Sequence, residues 1–371
     1  MDTQQWLDDV WAKIVKKVDF TSKQIGDQFP HISTNGKFDS QDADWWTNGF
    51  YPGILWHVYR ETKNESLRNI AESLEEKLDG PLHEYEKLHH DVGFMWSLSA
   101  VANYKITGNQ KSRRRGLIAA SHLTSRFNLK GNFIRTWNQW ADGTDVSGWT
   151  IIDCMMNLPL MHWSSEEHKD PRFKFIAMAH ADMAMREFIR PDGSVNHIVQ
   201  FDAHTGEVVG HLGGQGYKLG SSWSRGQSWA LYGFVLSYLY TRKQEYLDVS
   251  KKVANYFIAN VADTDYVPLC DFRAPKEPVI IDTTSGLVAA CGLIEIARVV
   301  EGSEGDMYMR AAIRILKSIE EKYGNWTEEE EAMITMGTVA YDRTHHVPII
   351  YADYYFVEAI TKLRGAKELF W

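Results

Sequence analysis

At 371 residues, 44% hydrophobic and 24% charged, the chain is neither disordered nor fibrous, and it is long enough for one large core. A formal net charge of −9 excludes an extended basic surface for nucleic acid, and no uninterrupted apolar run reaches membrane-span length. Neither nucleic acid nor a membrane is therefore an expected partner, although local cations can still override the global field for a small anionic substrate.

In chain order, the opening "MDTQQWLDDVW" shows no basic and apolar leader pattern, which predicts a cytoplasmic protein. Helical spacing then dominates and strand alternation is scarce, as in "LRNIAESLEEKL", "YLDVSKKVANYFIANV" and "MYMRAAIRILKSIEEKY". Six segments share one plan: a small or polar opening, a strongly apolar helix, a short turn and a more amphipathic helix. They begin near "TNGFYPGILWHVYRET", "VGFMWSLSAVANYKITG", "IIDCMMNLPLMHW", "SRGQSWALYGFVLSYLYTRK", "TSGLVAACGLIEIARVV" and "YADYYFVEAITKL". The recurrence is roughly every 60 residues, longer than common solenoid repeats but right for helical hairpins with insertions. The apolar helix of each pair belongs in an inner ring and the amphipathic one faces water. Six such hairpins closed in a circle give an all-α (α/α)6 barrel, a six-hairpin toroid, against the alternative of an open helical solenoid. No Pro- or Ser-rich linker interrupts the series, so residues 1–371 are expected to form a single catalytic domain, as a monomer or weak homodimer. Cys154, Cys270 and Cys291 each lie within or beside apolar sequence, an odd number of thiols that suits a reducing compartment.

Two aspartates stand at matching places. Asp91, in "LHHDVGFMWSL", opens the second apolar helix, and Asp153, in "IIDCMMNLPLM", opens the third. Each taken alone fits a helix cap. Taken together on one rim, near aromatic walls, they are the equipment of glycosidic acid and base chemistry, because repulsion and desolvation keep one of two neighbouring carboxyls protonated near neutral pH. Trp45, Trp46, Trp137, Trp140, Trp149, Trp223 and Trp229 gather near the same helix openings, either as core or as platforms for sugar rings. Arg225, between Ser224 and Gly226, either binds a substrate carboxylate or braces an aspartate. His89 and His90 are adjacent in sequence and no further ligand spacing accompanies them, so no metal and no other cofactor is expected. "GHLGGQGYKLG" lacks the Lys-Ser/Thr ending of a phosphate-binding loop.

The ordered set "DWWTNGFYPGILW", "HHDVGFMWSLSAVANYKITG", "IIDCMMNLPLM", "WSRGQSWALYGF" and "YADYYFVEAI" resembles the unsaturated glucuronyl hydrolases, glycoside hydrolase family 88, across almost the whole chain. The resemblance implies an (α/α)6 barrel that removes the 4,5-unsaturated uronic acid left by polysaccharide lyases at the non-reducing end of oligosaccharides. It implies Asp153 as general acid and base and Asp91 as its assistant at the sugar hydroxyls. It further implies a sugar pocket of His90, Trp45 or Trp46, Trp137, His197, Gln215, Arg225 and Trp229. The chemistry implied is hydration: a proton adds at C4, water adds at C5, and the hemiketal opens to expel the remaining saccharide. The resemblance thins over "ITMGTVAYDRTHHVPIIYADYYF", where Arg343, Thr344, His345 and His346 stand without a lysine, so glycan preference stays open. The insertion "FDAHTGEVVGHLGGQGYKLG" is placed near the leaving-sugar side. Competing readings are an unsaturated rhamnogalacturonyl hydrolase on the same barrel, a sugar epimerase with paired histidine bases, and a non-catalytic carbohydrate-binding toroid.

Overall fold

The computed structural model describes residues 3–140 and 142–371. Its elements in chain order are α1 (Thr3–Ile25), α2 (Phe50–Thr62), α3 (Glu65–Lys77), the short α4 (Asp79–Glu84), α5 (Val92–Trp96), α6 (Ala102–Thr107) and α7 (Gln110–Ser125). They continue with α8 (Leu158–His168), α9 (Pro171–Glu187), α10 (Ser224–Thr241), α11 (Gln244–Val261), α12 (Thr283–Val299), α13 (Gly302–Tyr323) and α14 (Ile350–Leu363). A π segment, Ser97–Val101, welds α5 to α6, and a 3-10 turn, Ile152–Met156, leads into α8.

The inner ring runs α2, α5–α6, α8, α10, α12 and α14, each packed on the next, with α14 returning to α2 to close the circle. The circle excludes the open solenoid. Burial explains which helices are inside. In α10 every residue from Ser224 to Ser237 is buried, so the helix has no solvent face. In α13, by contrast, Tyr308, Ala311, Ala312, Ile315, Leu316 and Ile319 form one buried stripe at three- and four-residue spacing. The outer helices α3, α7, α9, α11 and α13 each back the inner helix that precedes them.

The sixth hairpin departs from the sequence pattern. No amphipathic helix follows α14. Its outer partner is α1, from the other end of the chain, which packs on α14, α2 and α3 through Trp6, Val10, Ile14 and Val18. Local periodicity marks α1 as amphipathic but carries no information on which helix it covers.

The two ends of the ring differ in their connections. At one end the inner-to-outer turn is two residues long in five hairpins, and in four of them Lys63, Gly108, Lys169 and Arg242 take the left-handed conformation. Asn64, Asn109 and Asp170 then cap the outer helix with side-chain oxygens, a contribution of about 1 kcal/mol each. At the other end the connections are long and hold all the strands. A three-stranded antiparallel sheet of Trp149–Ile151, Ile198–Phe201 and Val208–Leu212 sits there, the largest β feature among the described residues. The segment 201–220 thus enters the fold as a strand and a turn of this rim sheet. Long loops at one end supply the side chains of a site that the tight turns at the other end cannot.

Candidate active site

At the long-loop end a cavity of about 390 Å³ opens over the inner ring, with Asp91, Asp153, Trp45, Trp46, Trp137 and Arg225 in its wall. Asp91 begins α5, yet its side chain makes no capping bond. It is turned instead toward the cavity wall, where His89 Nδ1 lies 3.1 Å from one oxygen and His90 Nε2 3.2 Å from the other. Burial works to raise its pKa, but the two histidines and the Asn157 amide outweigh it and hold the carboxyl below its usual range. Asp91 is ionised at neutral pH. Burial pushes His90 down to about 4, so that ring is neutral there. His89, His90 and Asp91 bring possible ligand atoms within 4.8 Å of one another.

Asp153 lies in the 3-10 turn before α8 and is equally free of capping duty. Its Oδ1 is buried without a hydrogen-bond partner, and the nearest cation-capable group is His197 Nε2 at 3.5 Å. The sheet brings these two together: Ile151 pairs with Ile198, and the Ile152 N–H donates to the His197 carbonyl at 3.1 Å. Asp153 Oδ1 thus keeps its accepting capacity open within the cavity wall.

Asn157 links the two carboxylates. Its Nδ2 donates to Asp91 Oδ1 at 3.4 Å and approaches the Asp153 carbonyl at 3.5 Å, while its Oδ1 accepts the Phe94 N–H at 2.9 Å. This close meeting of α5 and the 3-10 turn requires Gly93, since a Cβ there would stand 2.5 Å from Asn157. Sequence reading passed over Asn157, although its position four residues after Asp153 puts it one helical turn along the same face.

Other expected pocket residues divide into wall and support. Trp45 is 39% exposed at the rim, edge-on to His31. Trp46 packs against Phe50, Phe94 and Tyr351 and still reaches the cavity. Trp137 stands in the wall backed by Trp140 and Trp149. Gln215 also lines the cavity, its amide donating to the Val339 carbonyl at 2.7 Å. His90, His197 and Trp229 lie behind this wall: His90 is fully buried, His197 stacks on Trp223 with centroids 4.4 Å apart, and Trp229 is buried between Phe94 and Tyr355. His31 and Tyr351 line the cavity without having been singled out in the sequence. Burial pushes His31 down to about 4, so it too offers a neutral ring.

Arg225 braces an aspartate, the second of its two expected roles, and borders the cavity. Nη1 donates to Asp282 Oδ2 at 2.8 Å and to the Thr338 carbonyl at 2.6 Å, and Nη2 donates to the Val339 carbonyl at 2.6 Å. The guanidinium lies 4.6 Å from the Trp223 ring centre and borders the cavity. It therefore braces Asp282 and the 338–339 segment while contributing positive charge to the wall.

The chain is 34% identical to an unsaturated glucuronyl hydrolase of a Bacillus species (strain GL1), with 94% of each chain covered. It is 30% identical to an unsaturated chondroitin disaccharide hydrolase of Streptococcus pneumoniae, covering 97% of this chain and 92% of the relative. The crystal structure of the unsaturated glucuronyl hydrolase of Bacillus sp. GL1 superposes with a TM-score of 0.92 at 33% identity, over 97% of both chains. No protein-family model matches the chain. Near-full-length identity, the same closed ring of helical hairpins and the same fold in a solved relative agree: this chain is a glycosidase and belongs to the unsaturated glucuronyl hydrolase family.

Proposed function

We propose that the protein removes the 4,5-unsaturated uronic acid from the non-reducing end of lyase-generated glycosaminoglycan fragments, with Asp153 as general acid and base. The observation that carries the assignment to Asp153 is its buried, unpartnered Oδ1 in the wall of an aromatic-lined cavity, beside an ionised Asp91. The glycan class rests on the relatives: one is named for chondroitin disaccharides, and another solved structure is described as responsible for degradation of glycosaminoglycan.

The reaction runs by hydration. The neutral Asp153 carboxyl gives its proton to C4 of the vinyl ether, and oxocarbenium character develops at C5. The resulting Asp153 carboxylate takes a proton from water as that water's oxygen bonds to C5. The hemiketal opens to a C5 ketone, and C1 releases the remaining saccharide. No carboxylate nucleophile takes part, so the separation of the two aspartates does not decide retention or inversion. Asp91 stays ionised and accepts hydrogen bonds from the sugar hydroxyls. Trp45, Trp46 and Trp137 flank the ring. Arg225 adds positive charge toward the uronate carboxylate. The protein acts as one catalytic unit across residues 1–371. Three buried free thiols fit a reducing, cytoplasmic setting.

Incubation with chondroitin- or hyaluronan-lyase disaccharides, followed by the absorbance of the C4=C5 bond, tests the reading. The expected outcome is its decline, with a deuteron at C4 when the reaction runs in deuterium oxide. Sugar binding with no loss of the double bond would return the chain to a binding role.

A further inference from the structure

We propose that the turn at residues 213–216 fixes the tautomer of His197 and thereby decides which oxygen of Asp153 carries the transferable proton. The proposal rests on the assignment of Asp153 as general acid. His197 is buried against Trp223, and its Nδ1 accepts the backbone N–H of Gln215 at 3.0 Å. A ring nitrogen whose lone pair receives a donor holds no proton, so the single proton of the neutral imidazole sits on Nε2. That nitrogen faces Asp153 Oδ1 across 3.5 Å. The gap is longer than a formed hydrogen bond, and such contacts tighten when substrate completes the site.

Oδ1 has no other partner and is shielded from solvent. With the Nε2–H 3.5 Å away as the donor nearest to it, Oδ1 is the acceptor, and the carboxylic proton is assigned to Oδ2. His197 keeps its own proton through the cycle. It acts as a positioning residue for Asp153.

The turn is built to hold this arrangement. Gly214 has φ +58°, and a Cβ there would stand 2.0 Å from His197 Nδ1, so only glycine lets the backbone approach the ring. Gln215 is fixed on its other side, where its carbonyl accepts the Tyr341 N–H at 2.9 Å and its amide donates to the Val339 carbonyl at 2.7 Å. The following residues are tied to Asp271. One of its oxygens accepts the Tyr217 N–H at 3.0 Å and the Ser221 hydroxyl at 2.7 Å, and the other accepts the Ser222 N–H at 3.0 Å. The segment that carries the Gln215 N–H is therefore anchored on both flanks, by Asp271 and by the 339–341 backbone.

The test is nitrogen NMR of the full chain labelled in histidine, with the His197 signals identified by their disappearance in His197→Gln. The expected result is an unprotonated Nδ1 and a protonated Nε2 at neutral pH; a protonated Nδ1 overturns the proposal. Kinetics on the unsaturated disaccharide give a second readout. In His197→Gln the side-chain amide reaches the position of Nε2–H, whereas in His197→Asn it reaches only that of Nδ1. The glutamine variant is expected to keep kcat within about tenfold, and the asparagine variant to lose on the order of 10²-fold with KM moving less. Equal losses in the two variants contradict the lock. Absence of turnover by the parent protein would instead overturn the assigned function, leaving the nitrogen signals to decide the tautomer.

Discussion

One buried charged cluster gathers at the helix openings and another lies among α10, α12 and α14, and they are finished differently. At the rim, Asp153 Oδ1, both ring nitrogens of His90 and His197 Nε2 lack hydrogen-bond partners. Two turns further along α14 from Tyr351, the Glu358 carboxylate is closed on itself. It accepts the Tyr232 hydroxyl, the Trp371 indole N–H at 2.8 Å and the Lys362 ammonium at 2.7 Å. Lys362 also reaches Glu295 at 3.2 Å, which Arg298 holds at 2.9 Å. Both clusters are walled by aromatics. An unmade hydrogen bond to a buried group carries a desolvation cost of about 1–3 kcal/mol, a cost that the Glu358 carboxylate avoids and Asp153 Oδ1 does not. The lower groups tie α10, α12 and α14 together.

The sharpest way to break this contrast is to neutralise one carboxylate in each cluster. Asp153→Asn is expected to lower kcat by roughly 10²–10⁴-fold, because the amide keeps the shape and cannot deliver the proton. Its unfolding midpoint in urea should not fall, since no hydrogen bond of the folded state is lost. Activity within tenfold of the parent removes Asp153 from the general-acid role. Glu358→Gln should do the opposite. It leaves Lys362 with Glu295 alone, at 3.2 Å, as its charge partner and turns an amide N–H toward either the indole or the ammonium donor, a loss of about 1–3 kcal/mol in urea unfolding. Turnover per folded molecule should be retained. A stable Glu358→Gln protein with impaired kcat would mean that the lower cluster is coupled to the chemistry.

The contrast also bears on what could be read from the residues in order. Apolar runs show burial directly, so the six inner helices and the placement of Asp91 and Asp153 at successive openings follow from the sequence. Partner identity does not. Asn157 looks like one more polar residue in "IIDCMMNLPLM" until α5 meets it across Gly93. His31 precedes any inner helix, and a connecting loop delivers it to the cavity. Tyr351 reads as one more aromatic of an apolar helix start. The lower cluster was invisible for the same reason: Glu295, Glu358 and Lys362 are ordinary helix residues whose meeting depends on the register between α10, α12 and α14.

Acid titration sharpens the comparison at smaller scale. Burial favours a raised pKa for Glu358, but Lys362 beside it and the Tyr232 hydroxyl hold the carboxyl down to about 2. An unfolded glutamate titrates near 4.3. With the folded value depressed, the stabilising contribution is complete above the unfolded value and is lost as pH falls through about 4 toward 2. The difference in unfolding free energy between the parent and Glu358→Gln should therefore shrink over that window and stay flat from pH 5 to 7. A constant difference from pH 7 down to pH 2 would show that folding does not shift the Glu358 carboxyl, and that Lys362 and Tyr232 do not stabilise its ionised form.

The smallest expected effect separates two adjacent tryptophans that the sequence leaves as alternatives. Trp45 is exposed at the rim and touches His31 by its edge, with centroids 5.3 Å apart. Trp46 meets Phe50, Phe94 and Tyr351 at 5.4 to 5.9 Å, so it is packed against the aromatic core beside the cavity. On the proposed function, truncating Trp45 removes a platform for the sugar and little packing. Trp45→Ala should raise KM about 2- to 10-fold, the range of one aromatic contact of 0.5–1.5 kcal/mol, with kcat and the unfolding midpoint near those of the parent. Trp46→Ala opens a gap in that packing and should lower stability by up to about 3 kcal/mol, with kcat falling as the cavity wall relaxes. If Trp45→Ala instead destabilises the protein while KM stays fixed, the rim tryptophan is packing, and the sugar platform must be sought in Trp46 and Trp137.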